Sequence, residues 1–162
     1  MKDIDIIFEG LHDDSMLPQY ARPGDSGMDV HAHFDEKFFV KHEVVYNIRD
    51  RTFRLAPESR VLIPLGFKVQ IPLGYEIQVR PRSGLALKHG ITVLNTPGTI
   101  DSGYRGEMGV ILFNTDTDHS LNIKHGDRVA QIVLSKVYKI QWHGGTVDES
   151  TRGTGGLGHT GV

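Results

Sequence analysis

Five groups of residues along this chain have types and spacing that could do chemistry, and two of them suit an anion. Residues 91–109, ITVLNTPGTIDSGYRGEMG, hold one carboxylate, Asp101, and one aromatic ring, Tyr104, between glycine-marked bends. Such a stretch can offer a flat ligand its backbone N–H and C=O groups, with Tyr104 as a wall and Asp101 as a proton acceptor. Residues 81–90, PRSGLALKHG, place Arg82, Ser83 and Gly84 in the first turn of a helical signature. Free backbone N–H groups and a guanidinium then point to one place, which suits a phosphate. Asp29, in the bend-to-strand segment PGDSGMDVHA, is a charge at the start of an apolar strand, costly unless it meets a cation or a donor. In HGDRVAQIVL, a turn feeding a strand, Gln131 lies in the strand interior and needs a polar partner there. In the tail, RGTGGLGHTG combines Arg152, hydroxyls and closely spaced glycines, whose successive amides can form a nest around an anion. Three of these groups also have a plainer reading: a surface hairpin, a capped helix, a flexible tail.

The elements that must position these groups are mostly strands. Asp3–Phe8 alternates apolar and polar residues, and Val61–Pro64, Phe67–Ile71 and Tyr75–Val79 are short strands joined by Leu65-Gly66 and Pro72-Leu73-Gly74 turns. The pattern predicts a hairpin over the 91–109 stretch, with Asn95-Thr96-Pro97-Gly98 as its turn and a following strand from Met108 to Asn114. One helix is expected, with Ser83 as its cap and Gly90 as its stop. Strict alternation in the last strand would put Val129, Gln131 and Val133 on one face and Ala130, Ile132 and Leu134 on the other. Residues 34–60 read as a variable inserted segment, a surface loop with its own small hairpin over Phe38–Tyr46 and Thr52–Leu55.

A chain of 162 residues that is 38% hydrophobic suffices for one domain with a real core. A net charge of -2 gives no global basic field, so no nucleic-acid partner is expected. There is no cysteine, hence neither a disulfide framework nor a thiolate metal site. No apolar run is long enough for a membrane span, and MKDIDIIFEG is too short and acidic for a signal peptide, so a soluble cytoplasmic protein without a membrane partner is expected. Residues 144–162 hold seven of the 19 glycines and almost no large apolar side chain. The chain therefore divides into a β domain over 1–143 and a flexible arm over 144–162.

Taken together, PGDSGMDVHA, PRSGLALKHG, LNTPGTIDSGYRGE, GDRVAQIVL and RGTGGLGHTG resemble, in order and approximate spacing, the five motifs of the deoxyuridine triphosphatases (dUTPases). The resemblance runs from about Pro23 to the end, apart from residues 34–60. It implies an all-β, distorted jelly-roll-like barrel or sandwich, assembled as a homotrimer with shared active sites. It also implies Mg²⁺-dependent hydrolysis of dUTP to dUMP and pyrophosphate, which keeps uracil out of DNA and supplies dUMP for dTMP synthesis. By resemblance Asp29 acts on the metal through water, the metal being otherwise held by substrate phosphates. Arg82, Ser83 and Gly84 bind phosphate, and Asn95, Gly98 and Tyr104 hold the nucleoside. Asp101 is the base for the attacking water, and Gln131 lies near the α-phosphate. Arg152 reaches the γ-phosphate, and Leu157, Gly158, His159 and Thr160 continue the tail motif over the substrate.

Two positions depart from the family pattern. Leu157 stands where the family usually has Phe, and can cover a base without stacking on it. His159 stands where Ser is usual, a larger and titratable donor. Two alternatives stay open on sequence alone. One is an enzyme of the dCTP deaminase kind on the same fold; the other is a dUTP-sensing module that contacts a protein partner through residues 34–60.

Overall fold

The computed structural model of the chain describes residues 3–41 and 50–156. The chain runs through β1 (Ile7–Gly10), β2 (Met28–His31), a short helix α1 (Glu36–Lys41), β3 (Thr52–Leu55), β4 (Arg60–Pro64), β5 (Phe67–Gln70) and β6 (Tyr75–Arg80). After helix α2 (Ser83–His89) come β7 (Ile91–Val93), β8 (Gly98–Ile100), β9 (Gly109–Asn114), β10 (Leu121–Lys124) and β11 (Arg128–Lys136). A four-stranded sheet has the order β2-β11-β6-β8 and a three-stranded one β4-β9-β7, with ribbons β1-β5 and β10-β3 beside them. The arrangement is all-β and sandwich-like, and its sheets do not close into a barrel among the described residues.

Period-two alternation explains which faces meet. Val61 and Ile63 of β4, Val110 and Leu112 of β9, and Ile77 and Val79 of β6 are all buried and belong to one cluster. Each such side chain contributes about 1.5–3 kcal/mol when fully removed from water. Asn114 ends the inner row of β9 and is fully buried. Its amide nitrogen donates to the carbonyls of Ala56 (3.2 Å) and His119 (2.9 Å), while its oxygen accepts from the Asp116 N–H (3.0 Å). That side chain ties the end of β3 to the turn before β10.

Four local expectations change. The 91–109 stretch is not one hairpin: β7 pairs with β9, whereas β8 pairs with β6 in the other sheet. The turn at residues 94–97 therefore carries the chain between sheets. The run from Phe38 is helix α1 rather than strand, and residues 42–46 of the expected excursion lie outside the described residues. Asp35 accepts the Phe38 N–H at 2.9 Å as an N-cap would. Phe34 and Phe38, one turn apart, stack at 4.5 Å, and Phe38 meets Phe53 edge-on at 5.3 Å. The β3 strand then pairs with β10 rather than with its own neighbour.

The last two changes concern caps and register. Helix α2 begins after Arg82, which holds the N-cap position in extended conformation, and Ser83 makes no capping bond. Its end is as expected: Gly90 adopts φ 62°, a left-handed conformation that costs a side-chain-bearing residue energy. In β11 the register shifts between Arg128 and Ala130, so Val129 and Ala130 are both buried. A bulge of this kind breaks strict alternation at its start. From Ala130 onward the expected faces hold.

Candidate active site

Because β7 and β8 leave for different sheets, a cavity of about 330 Å³ opens between them, lined by Val79, Val93, Asn95, Gly98, Ile100 and Tyr104 among others. Its walls are apolar, with the exposed turn at residues 94–97 at one side, the make-up of a small-molecule site. Gly98 is closely packed: a Cβ there would lie 3.2 Å from Asn95 Nδ2 and 3.4 Å from Val79 Cβ, so these neighbours would have to shift slightly. Asp101 follows Ile100 directly and is exposed, its carbonyl accepting the Tyr104 N–H at 3.0 Å. The Tyr104 hydroxyl donates to the Glu107 carbonyl at 2.9 Å, which fixes the ring against the cavity.

A second, polar group forms where β2, β11 and the start of α2 meet. Asp29 lies opposite Gln131 in the β2–β11 register. Its carboxylate accepts from Arg82 Nε at 2.9 Å and from Arg128 Nη1 at 3.3 Å, so the costly charge has two cations. Arg82 also donates to the Arg128 carbonyl at 3.1 Å. The Gln131 amide donates to the Pro81 carbonyl at 2.9 Å, and its oxygen lies so close to Gly27 that a Cβ there would be 2.6 Å away. The nearby His31 imidazole is held below its ordinary pKa by burial, against the pull of Asp29, and its Nδ1 has no partner.

The 95–98 turn separates the two groups. Asn95 and Gly98 line the first cavity; Thr96 and Pro97 line a second, more open one of about 460 Å³ together with Ser83 and Gln131. Neither Arg82, Ser83 nor Gln131 lines the first cavity. Within one chain, then, the nucleoside-like pocket and the phosphate-like group face different openings.

A third polar group lies away from both. Asp14 Oδ1 accepts from His33 Nε2 at 2.8 Å and its Oδ2 from Arg51 Nη1 at 2.7 Å, and His125 Nε2 is 3.3 Å from that same Oδ2. Ligand-type atoms of Asp14, His33 and His125 lie within 4.8 Å of one another. Two observations weigh against a hard cation there. The Phe34 N–H donates to His125 Nδ1 at 3.1 Å, which puts the ring proton on Nε2 and makes that atom a donor to Asp14. Mg²⁺ also prefers oxygen ligands, and two of the three candidate atoms here are imidazole nitrogens. The group is a structural clasp that joins the 12–15 loop, the end of β2 and the turn before β11.

A family model described as dUTPase matches residues 45–161. The chain belongs to the dUTPase family. Two relatives named deoxyuridine 5'-triphosphate nucleotidohydrolase agree. That of Syntrophotalea carbinolica is 44% identical over 99% of both chains. That of Desulfotalea psychrophila is 49% identical over 90% of this chain and 87% of its own. Among solved structures, a Staphylococcus bacteriophage 80alpha dUTPase with dUpNHpp has a TM-score of 0.77 at 21% identity, covering 98% of this chain and 99% of its own. A dUTPase from phage phi11 of S. aureus, whose structure describes coordination of a structural Mg(II) ion, has a TM-score of 0.71 at 20% identity, over 91% of this chain and 100% of its own. At those identities the likeness is one of fold.

Among the described residues of the arm, 144–156, no hydrogen bond to either group is made. Arg152 Nε donates to the Gly155 carbonyl at 2.9 Å, a bond internal to the tail. Leu157, Gly158, His159 and Thr160 lie outside the described residues. Two residues with a part in the geometry were not singled out from sequence, Arg128 and Glu107. Arg128 stands three residues before Gln131, on the far side of the bulge, so alternation gave no reason to group it with Asp29. Glu107 acts through Gly66, forty-one residues away, a partner no local pattern indicates.

Proposed function

We propose that this chain hydrolyses dUTP to dUMP and pyrophosphate, in the cytoplasm, as a homotrimer with Mg²⁺. The observation that carries the reading is the split between β7 and β8, which gives an apolar cavity of about 330 Å³ beside the exposed turn at residues 94–97, with Asp101 next to its lining. Uracil differs from cytosine by an acceptor at position 4 and a donor at N3, which backbone groups around Asn95 and Gly98 can read. Tyr104, held by its hydroxyl, packs against the sugar, where a 2'-hydroxyl would be crowded.

Asp101 takes a proton from a water that attacks the α-phosphorus; the bond from that phosphorus to the bridging oxygen breaks, and pyrophosphate leaves. Arg82 and Arg152 offset the charge that builds on the departing group, and Gln131 orients the water and the α-phosphate. Ser83 and Gly84 supply further phosphate contacts from the first turn of α2. The arm residues Leu157, Gly158, His159 and Thr160 close over the nucleotide.

Asp29 fits Mg²⁺ in one mode. Both of its oxygens already accept from guanidinium groups, so it can hold the ion through water while the triphosphate supplies direct ligands. The ion, when bound, would neutralise phosphate charge.

The trimer supplies what one chain keeps apart, bringing the cavity of one copy to the Arg82–Gln131 group of another. Beyond β11 the segment presents Tyr138, Ile140 and Trp142 at alternate positions, and Trp142 is 86% exposed. An extended stripe of that kind is suited to lie on a neighbouring copy. The test is pyrophosphate release from dUTP against dTTP, dCTP and UTP, with and without Mg²⁺. Strong preference for dUTP is expected; comparable kcat/KM for dUTP and dCTP would overturn the assignment.

A further inference from the structure

Tyr104 is 42% exposed, and an aromatic side chain on so open a turn would ordinarily sample several rotamers. Here it is held. Its ring lies against Gly106, where a Cβ would come within 2.6 Å of Cζ, and its hydroxyl donates to the Glu107 carbonyl at 2.9 Å. The position of that carbonyl is what sets the ring, and Glu107 fixes it with its own side chain. Glu107 Oε1 accepts the Gly66 N–H at 2.9 Å, forty-one residues away in sequence.

The Gly66 peptide is an unusually firm anchor. Its carbonyl accepts from the Leu11 N–H at 2.9 Å and from the Ser15 hydroxyl at 2.6 Å. Its φ of +74° is left-handed, and its open face is packed by His33, so that a Cβ would lie 2.6 Å from Cγ of that ring. His33 is 3% exposed and is bonded to Asp14 in turn. On the far side, Met108 is fully buried and its backbone bridges Phe67 (2.8 Å) and Leu65 (3.0 Å). A chain of contacts therefore runs from the Asp14–His33 clasp through Gly66 and Glu107 to Tyr104.

We propose that Glu107 is a positioning residue for Tyr104 and thereby sets how strongly the site rejects a ribonucleotide. The proposal rests on the reading of Tyr104 as the wall beside the sugar. With the Glu107 carboxylate in place, the carbonyl that receives the tyrosine hydroxyl cannot drift, and the ring stays where a 2'-hydroxyl would need to go. Without it, the turn at 105–107 is free to relax and the ring yields to ribose. The acceptor, not the charge, does this, so an amide oxygen in the same place preserves the effect.

The test compares kcat/KM for dUTP and UTP, by pyrophosphate release, in wild type, Glu107→Ala, Glu107→Met, Glu107→Gln, Tyr104→Phe and the double variant Tyr104→Phe with Glu107→Met. Methionine keeps length and volume and removes the acceptor, so it stands in if the alanine variant folds poorly; melting temperatures identify that case. A hydrogen bond to a charged acceptor is worth enough for the dUTP/UTP ratio to fall about five- to tenfold in Glu107→Met. The change should come mainly from a lower KM for UTP, with kcat for dUTP little altered. Glu107→Gln should restore the ratio, and the double variant should be no worse than Tyr104→Phe alone, since both act through one bond. An unchanged ratio in Glu107→Met, or losses that simply add in the double variant, would overturn the proposal. A wild-type protein that releases no pyrophosphate from dUTP removes this inference together with the function it rests on. An active one whose ratio ignores Glu107 removes the inference alone.

Discussion

Asp101 stands on an exposed turn next to an apolar cavity, so its carboxylate is free to meet a water while the ligand is held elsewhere. Asp101→Asn keeps the shape and removes the proton acceptor. Turnover should then fall by about 10²–10⁴-fold, the range for loss of a general base, with dUTP binding largely retained. Steady-state kinetics beside binding of a non-hydrolysable dUTP analogue checks this; activity within about tenfold of wild type would remove Asp101 from that role. His125 gives a second residue-level expectation, about stability. Burial, then Arg51 and His33, push its pKa below the ordinary value, while Asp14 pulls the other way. A histidine whose folded pKa is depressed is less protonated folded than unfolded, so stability rises with pH between the two values. Its contribution is whole above the unfolded value of about 6.5 and is lost as pH falls from there. Asp14 is a depressed carboxylate, held low first by Arg51 and then by His33, so its own contribution persists until well below that window. The melting temperature should therefore drop between about pH 7 and 5. His125→Asn keeps a side-chain oxygen near the Phe34 N–H without titrating there, and should flatten that drop. An unaltered slope would assign it to other histidines, such as His31, which burial also depresses.

At the scale of elements, the junction of β2 and β11 controls the polar group. The bulge after Arg128 turns that side chain toward Asp29 while leaving Gln131 across from it. Gly27, just before β2, leaves room for the Gln131 amide. In Gly27→Ala the new methyl would meet Gln131 Oε1 at 2.6 Å, an atom at the far end of a flexible side chain. The amide should swing off the Pro81 carbonyl with little cost to the fold. The expected outcome is a melting temperature close to wild type and a fall in kcat of roughly ten- to a hundredfold, the penalty typical of misplacing a positioning group. A fall in stability with normal kcat in the surviving protein would mean that the side chain at 27 does not act through Gln131.

At the scale of the whole molecule, one chain holds the proposed nucleoside pocket and the proposed phosphate-binding group on different openings, and the described part of its arm bonds to neither. A homotrimer with shared sites predicts complementation between two inactive forms, Asp101→Ala and a chain truncated before Arg152. A site built from one chain never becomes complete in such a mixture. If the 91–109 stretch and the arm come from different copies, random 1:1 trimers give about a quarter of sites with both intact. Co-refolding the two, with trimers confirmed by mass, should recover activity near that fraction. Confirmed trimers with no activity would rule out the shared site.

The amino-acid order by itself determined what is local. Period-two alternation, the glycine stop at Gly90 and the chemical groups at Asp29, Arg82, Asp101, Tyr104 and Gln131 follow from neighbours a few residues apart, and the family resemblance from the order of five such motifs along the chain. Helix α1 was also local in origin, through the Asp35 cap and the Phe34–Phe38 spacing, but a β-rich composition around it concealed the signal. What tertiary structure decided is which strand each segment joins. Nothing near Asn95 says that β7 belongs to β9 and β8 to β6, because that choice depends on which partner buries Val93 and Gly98 best, and the partners are remote in sequence. The cavity exists only because of that choice. The same holds for Arg128, brought to Asp29 by a bulge, and for Glu107, whose acceptor role comes from Gly66, a peptide that long-range packing places beside it.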